Sequence, residues 1–220
     1  MKIVSPSTML MFSTPDAAQF IERAGRTCYK SEDKITDESA GKFVKMIMER
    51  GHESVIEHAH ASFLVVCDRG VSHEFVRHRI FSYSQESTRY CDYCNAKFDG
   101  QISLIRPPFR NLASEEHWRK LAEQSEGTYH ILRELGEPPE IARACLLTSL
   151  KTELVGTANF REWRHFLRMR AVNPKAHPQM REIAIPIGLT LLELCPQVFG
   201  DFKESLEEAQ KGLDLGPRIV

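Results

Sequence analysis

An apolar run in the first third of the chain, Ala61–Cys67, constrains its fold more than any other segment. Five consecutive residues of the run, FLVVC, are apolar, so a strand formed here would offer both of its faces for burial. Two charged residues and a glycine, Asp68-Arg69-Gly70, then interrupt the run. We therefore predict a central strand over residues 61–67, with the other elements packed around it.

Helical patterns account for most of the remaining chain. We predict two further strands over 102–105 and 152–157, and an ordered loop over 79–99, which has neither a helical nor a strand period. Many helices and few strands, without regular alternation, predict an α+β fold. We expect a central, mostly antiparallel sheet with long helices packed around it, in a single domain spanning 1–220. The predicted helices cover 15–29, 36–50 (ended by Gly51), 71–79, 114–135 (with a capping box at Ser114), 140–150, 159–170 and 180–195, the last long one.

Charge and composition exclude some classes of function. The 29 basic residues are balanced by 30 acidic ones, which argues against broad binding to nucleic acid. The opening MKIVSPSTMLMF has a single lysine, its apolar stretch is broken by Ser5-Pro6, and no run approaches the length of a membrane span. We therefore expect a cytoplasmic protein that does not enter membranes. In that compartment we expect reduced thiols at Cys28, Cys67, Cys91, Cys94, Cys145 and Cys195.

Hydrogen-bond donors are concentrated in RHRIFSYSQESTRY, here called the Arg77–Tyr90 segment. Arginines supply forked, charged donors and hydroxyl groups fill the gaps between them, a combination typical of receptors for phosphate and carbonyl groups. A solvated surface loop is the alternative interpretation. The nearby apolar strand and the aromatic residues in the segment favour the receptor.

Two other clusters contain residue types that bind metal ions. His52, His58 and His60 lie among carboxylates, but His52 and His58 lack the i, i+4 spacing of a zinc helix, and a polar turn is the alternative. Cys91 and Cys94 form a CxxC pair without a second pair, so we interpret it as incidental. We expect no metal at either cluster.

The predicted helix NFREWRHFLRMR has an apolar arc and a cationic arc. Arg170 breaks the pattern because it projects within the apolar arc, between Trp163 and Phe166. An inward cation needs a partner or a function, although the end of a helix also suits an arginine that reaches out to solvent. The apolar arc holds Phe160, Trp163, Phe166, Leu167 and Met169, and the cationic arc holds Arg161, Arg164, His165 and Arg168.

These motifs together resemble the flavin-dependent thymidylate synthases. Arg77-His78-Arg79, seven further residues and Ser87 match the signature of that family, followed by Arg89-Tyr90. The resemblance extends over residues 16–200. It includes the GHE(S/T)xxEH element at Gly51–His58, Ala142-Arg143, the 159–170 helix, and His177 to Ile183.

The resemblance implies reductive methylation of dUMP to dTMP. Methylenetetrahydrofolate would supply the carbon, and FAD reduced by NADPH would supply the hydride, in a homotetramer with shared active sites. Arg170 would activate the uracil ring, and His52 would lie near the reaction centre. The implied flavin residues are Ser54, Glu57, Arg77, His78, Arg79, Asn159, Arg161 and His165. The implied dUMP residues are Glu74, Arg77, Gln85, Glu86, Ser87, Thr88, Arg89, Arg143 and Arg170.

Two rival functions remain open on the residues alone. One is a nucleotide- or RNA-binding module without catalysis, built on the Arg77–Tyr90 segment. The other is a metallohydrolase that uses the His52–His60 cluster. Balanced charge disfavours the first, and the spacing of the histidines disfavours the second.

Overall fold

The centre of the molecule is a four-stranded antiparallel sheet. The computed structural model describes residues 1–213, so the last seven residues of the predicted domain lie outside the described part. The strand order is β2 (Ser7–Ser13), β3 (His60–Asp68), β6 (Lys151–Asn159) and β4 (Ser82–Gln85). The longest register runs from His60 opposite Asn159 to Asp68 opposite Lys151. A separate parallel pair joins β1 (Lys2–Val4) to β5 (Ser103–Ile105).

The apolar run is the interior strand β3, as predicted, although only one of its faces is fully buried. Ala61, Phe63, Val65 and Cys67 face the core, whereas the alternate residues between them are half-buried. A strand in an antiparallel sheet can face helices on one side and remain partly open on the other. The predicted central position is therefore confirmed, and within this chain one of the two apolar faces is fully buried.

The helices confirm the α+β fold. Helices α1 (Ala17–Thr27), α2 (Ser39–Glu49), α6 (Phe160–Arg170) and α7 (Pro178–Leu194) pack around one core together with the sheet. A second core lies beneath the 23-residue α4 (Leu112–Glu134). Gly51 follows α2 with φ +70°, a conformation that favours glycine, as the stop signal predicted. Among residues 1–213, no helix combines the length and apolar character of a membrane span.

Several predicted elements are wrong in extent. The 71–79 helix is the shorter α3 (Arg69–Phe75), and α4 begins at Leu112 because Asn111, not Ser114, caps it: its Oδ1 accepts from the Ser114 amide at 2.8 Å. The 140–150 helix is reduced to α5 (Pro139–Ala142) and a 3₁₀ turn. Its last residues bond elsewhere, since the Ser149 and Leu150 carbonyls accept from the Ile105 and Arg69 amides.

Several elements were not predicted from the sequence. The 79–99 loop contains strand β4 and a 3₁₀ turn, and residues 1–13, which were assigned no structure, form strands β1 and β2. After α7, which is the last long helix as predicted, the short α8 (Pro196–Phe199) leads to the nine-residue α9 (Lys203–Lys211). These segments are short, and pairing or docking onto the larger elements decides their conformation.

Candidate functional site

The β6–α6 junction positions the residues at the centre of the candidate site. Strand β6 ends at Asn159, whose Oδ1 accepts from the Glu162 amide at 2.9 Å and caps α6. Helix α6 buries Phe160, Trp163 and Phe166 against the sheet, so its remaining side chains are held on a fixed frame. A junction between a central strand and a buried helix therefore carries the candidate functional groups.

The two predicted arcs of α6 need two corrections. Arg164, predicted on the cationic surface, is buried at 3% exposure and forms ion pairs of 2.6 Å with Asp201. Met169, predicted in the apolar core, is 46% exposed. The segment after α7 that contains Asp201 covers Arg164. The periodicity of residues within α6 cannot predict such a tertiary contact.

Two adjoining cavities flank α6, and we call them together the α6 cleft. One cavity of about 510 Å³ is lined by Arg77, His78, Arg79, Met169 and Arg170. The other, of about 570 Å³, is lined by Glu53, Glu57, Asn159, Arg161 and Arg168. Ile80, Glu162 and His165 line both. The cleft thus brings together seven of the eight implied flavin residues, and Arg170 with them.

Arg170 is held in the cleft by three hydrogen bonds. Its Nη1 donates to Glu74 Oε2 at 2.7 Å, its Nη2 to the Glu74 carbonyl at 3.2 Å, and its Nε to His78 Nε2 at 3.1 Å. The side chain is 18% exposed. The inward position predicted for Arg170 is confirmed, and Glu74 is the partner that an inward cation requires.

His78 is a buried, neutral imidazole at the base of the cleft. Burial, together with the smaller effects of the neighbouring Arg170 guanidinium and His165, lowers its pKa to about 4. Because Nε2 accepts from Arg170, Nδ1 carries the proton. Nδ1 has no hydrogen-bond partner of good geometry, although Glu162 Oε1 lies 3.4 Å away. His78 therefore links Arg170 to a buried carboxyl group.

The arginines along the cleft differ in whether a carboxylate group pairs with them. Glu57 pairs with Arg161 at 2.6 Å, and Glu53 lies 3.5 Å from Arg161 and 3.4 Å from Arg168. Arg77 and Arg79 are exposed, and within residues 1–213 neither guanidinium has a carboxylate partner. Unpaired guanidinium groups beside a cavity can bind phosphate and carbonyl oxygens.

The remaining implied dUMP residues lie at the far end of the Arg77–Tyr90 segment. Gln85 and Glu86 line a separate cavity of about 420 Å³. Glu86 accepts from Tyr93 Oη at 3.0 Å and pairs with Lys151 at 3.1 Å. The other members form local contacts: Arg143 Nη1 donates to Thr88 Oγ1 at 2.9 Å, and Ser87 Oγ accepts from the Arg89 amide at 3.3 Å. One chain thus divides the implied dUMP residues between two places.

The ligand atoms of the His52–His60 cluster do not converge in the described part of the chain. His52, Ser54 and His58 are exposed, and His60 Nδ1 contacts the His58 carbonyl at 3.0 Å. Neither His52 nor Ser54 lines the α6 cleft. The resemblance implied that both lie close to the flavin, and these two roles stay predictions.

A different set of ligand atoms does converge. One atom each from His78, Glu162 and His165 lies within 4.8 Å of the others, the sole such grouping found across residues 1–213. The Arg170 guanidinium bonds to the His78 ring, and the unpaired Arg77 and Arg79 line the same cavity. This positive surrounding favours anionic ligands over a cation.

Sequence reasoning missed Glu162 and Glu53 as site residues. Asn159 has the position of a helix cap, and Glu162 is the third residue after it. A glutamate is common at that position, so Glu162 needed no functional explanation. Glu53 belongs to a polar turn whose contacts with α6 span more than a hundred positions of sequence. Its spacing within the GHE(S/T)xxEH element was the one available signal.

Five of the six cysteines show no sign of activation. Burial raises the pKa of the Cys67 thiol to about 12 and that of Cys195 to about 11. Burial also raises the pKa of Cys91, Cys94 and Cys145. A cysteine nucleophile requires a lowered pKa, so these five thiols lack the environment of a catalytic cysteine.

Comparison with known proteins gives one consistent family. A family model described as thymidylate synthase complementing protein matches residues 9–197. A flavin-dependent thymidylate synthase of Mycolicibacterium gilvum is 36% identical over 205 residues, which cover 84% of this chain and 80% of the relative. That of Corynebacterium efficiens is 33% identical over 207 residues, covering 85% and 80%.

Solved structures support the same fold. The UMP/dUMP methylase PolB of Streptomyces cacaoi, bound with 5-Br dUMP, has a TM-score of 0.76 to this chain over 93% of this chain and 97% of PolB. At 23% identity, this likeness concerns the fold. The family match covers most of the chain, and the relatives exceed 30% identity over more than two thirds of it. The resemblance read from the motifs is therefore confirmed, and the chain belongs to the family of flavin-dependent thymidylate synthases, the thymidylate synthase complementing proteins.

Proposed function

We propose that this protein converts dUMP to dTMP with methylenetetrahydrofolate as carbon donor and FAD, reduced by NADPH, as hydride source. Membership of its family makes the protein an enzyme of the methyltransferase class. The relatives are named flavin-dependent thymidylate synthases, and the structural neighbour is named a UMP/dUMP methylase. We also expect it to act in the cytoplasm, without nucleic acid or membrane partners.

The observation that carries the proposal is the fixed Arg170 guanidinium. Hydrogen bonds to Glu74 and His78 fix the orientation of this planar group at the cleft. Uracil carbonyl groups gather negative charge while the ring attacks a carbon donor, and a preorganised cation stabilises that charge. Partial burial strengthens the interaction because less water screens it. Arg170 would therefore hold the uracil ring and lower the barrier to carbon transfer.

The donors of the α6 cleft fit a flavin dinucleotide. FAD carries a pyrophosphate, for which Arg77, Arg79 and Arg161 supply guanidinium groups around two adjoining cavities. When bound and reduced, FAD supplies the hydride. The buried His78 and the exposed His165, with ring centroids 5.5 Å apart, would contact its ring system, and Asn159, Ser54 and Glu57 would complete the site.

The division of the implied dUMP residues supports active sites shared between copies. Arg170, Glu74 and Arg77 lie at the α6 cleft, whereas the group from Gln85 to Arg89, with Arg143, lies at the far end of the segment. A second copy could bring its far end to the cleft of the first. Exposed apolar side chains on β2, Met9, Met11 and Phe12, provide a surface for such contact. We therefore propose a homotetramer, which light scattering on the purified protein would test.

The function is tested by reconstitution with defined components. Purified protein, with FAD added where needed, should show flavin absorbance that NADPH bleaches in the absence of oxygen. With dUMP and methylenetetrahydrofolate it should then form dTMP, and omission of any one component should abolish the product. Flavin or nucleotide binding without dTMP formation would favour the non-catalytic binding module instead.

A further inference from the structure

We propose that Glu162 is a positioning residue that holds Arg170 in place through His78. The inference deepens the proposed function, on which its catalytic consequence rests. The contacts form one chain: Glu162 Oε1 lies 3.4 Å from His78 Nδ1, His78 Nε2 accepts from Arg170 Nε at 3.1 Å, and Arg170 Nη1 donates to Glu74 at 2.7 Å.

Burial makes the Glu162–His78 contact significant. Glu162 is 9% exposed and His78 is 6% exposed, so little water is available to replace a missing partner. His78 Nδ1 is a buried nitrogen without another hydrogen-bond partner, and the Glu162 carboxyl oxygen is an acceptor within reach. Hydrogen bonds of this kind are often long in free enzymes and shorten when substrate binds.

The tautomer of His78 is the physical link. An acceptor at Nδ1 keeps the proton on that nitrogen, which leaves the Nε2 lone pair free for Arg170. If the proton moved to Nε2, that nitrogen would point an N–H at the guanidinium, and the bond to Arg170 would be lost. Two arginines near Glu162 in the sequence form ion pairs with other carboxylates: Arg161 pairs with Glu57, and Arg164 pairs with Asp201. The Glu162 carboxyl group therefore remains available to accept from His78.

Glu162→Leu and Glu162→Gln separate this role from a general charge effect. Leucine removes the acceptor, whereas the glutamine carbonyl still accepts from Nδ1–H. We expect Glu162→Leu to slow single-turnover dTMP formation by about tenfold to a hundredfold, the range seen when residues that orient metal-binding histidines are removed. Flavin content and reduction by NADPH should change little. Glu162→Gln should retain most of the rate, and the control Glu116→Gln, at an exposed carboxylate on α4, should retain all of it.

A second readout does not depend on turnover. Nitrogen NMR shifts of ¹⁵N-histidine-labelled protein, with His78 assigned by its loss in His78→Phe, report the tautomer. We expect the Nδ1–H form in the unmodified protein and in Glu162→Gln, and loss of that form in Glu162→Leu. An Nε2–H form in the unmodified protein would overturn the inference even if Glu162→Leu fails to fold.

The remaining outcomes are also decisive. A wild-type rate in Glu162→Leu, or a loss in Glu162→Gln as large as that in Glu162→Leu, would contradict positioning through an acceptor. If the unmodified protein forms no dTMP at all, the proposed function fails. The His78 tautomer then decides alone whether Glu162 orients the imidazole.

Discussion

The two ends of the Arg77–Tyr90 segment have the same kinds of side chain but opposite surroundings. At the first end, Arg77 and Arg79 are exposed without carboxylate partners among residues 1–213, beside a buried imidazole. At the second end, Glu86 is matched by Lys151 and Tyr93, and Arg143 bonds to Thr88. Strand β4 separates the ends by pairing with β6.

The difference indicates at which end a bound ligand can form the most new interactions with the protein. Unbalanced cations at the first end leave interactions that an anionic ligand can complete. At the second end Glu86, Thr88 and Arg143 are already engaged within the chain, so a ligand gains less from each, and the exposed Arg89 there has no carboxylate partner among residues 1–213. Changes at the first end should therefore have larger effects than changes at the second.

The largest effect is expected for Arg170→Ala. Loss of one preorganised donor to a developing negative charge costs roughly 10²–10³ in rate, about 3–4 kcal/mol. We expect this variant to fold, bind flavin and be reduced by NADPH, yet form dTMP very slowly in single turnover with saturating dUMP and folate. Arg170→Lys should recover part of the rate, since an ammonium group cannot reproduce the planar fork. Arg23→Ala, at an exposed site on α1, is the matched control, and near wild-type turnover in Arg170→Ala would contradict the mechanism.

A pH effect on stability should follow from His78. Its folded-state pKa of about 4 lies below the ordinary value, so the unfolded chain binds the proton more readily. His78 should therefore contribute full stability above about pH 6.5, and this contribution, a few kcal/mol, should be lost as pH falls to about 4. Urea unfolding at several pH values measures it.

His78→Phe is the variant that isolates this effect. Phenylalanine keeps a ring in the buried site but cannot bind a proton, so the loss of stability between pH 6.5 and 4 should become smaller. Burial raises the pKa of the adjacent Glu162, which produces the opposite slope in acid and makes the comparison with unmodified protein necessary. Ser114→Ala, at an exposed position on α4, should keep the wild-type slope. An equal slope in His78→Phe would show that His78 is not the titrating group.

A smaller effect is expected at the second end, from Ser87→Ala. We predict that the hydroxyl group holds dUMP by hydrogen bonding, so its loss should weaken dUMP binding by about 1–2 kcal/mol and leave activity measurable. Isothermal titration with dUMP measures the change, with Ser114→Ala as an exposed control. A covalent adduct between Ser87 and nucleotide, detected by mass spectrometry, would show that the residue is a nucleophile instead.

The smallest effect is expected from the thiols. Single replacement by alanine of each of the six cysteines should leave dTMP formation measurable, because burial raises the pKa of five of them and Cys28 is exposed and outside the α6 cleft. Steady-state assays of the folded variants test this. Complete loss of product in one well-folded variant would identify a cysteine nucleophile and replace the mechanism proposed above.

The sequence by itself determined the central strand, the long helices, the family and the inward Arg170. Each of these rests on a local pattern: an apolar run, a 3.6-residue period, a motif, or a charge within an apolar arc. Seven of the eight residues implied for the flavin site also lie around the α6 cleft, because the motif identified a family in which they act together, and their roles stay predictions.

The tertiary structure decided what no local pattern encodes. Strands β1, β2 and β4 are short, and pairing with β5, β3 and β6 fixes them. The same holds for side chains: Arg164 is buried by Asp201, and Glu162 meets His78 across 84 positions of sequence. The periodicity of apolar residues predicts which face of an element is apolar. The partner of a buried charge is determined by contacts between distant segments, and those contacts exist only after the chain has folded.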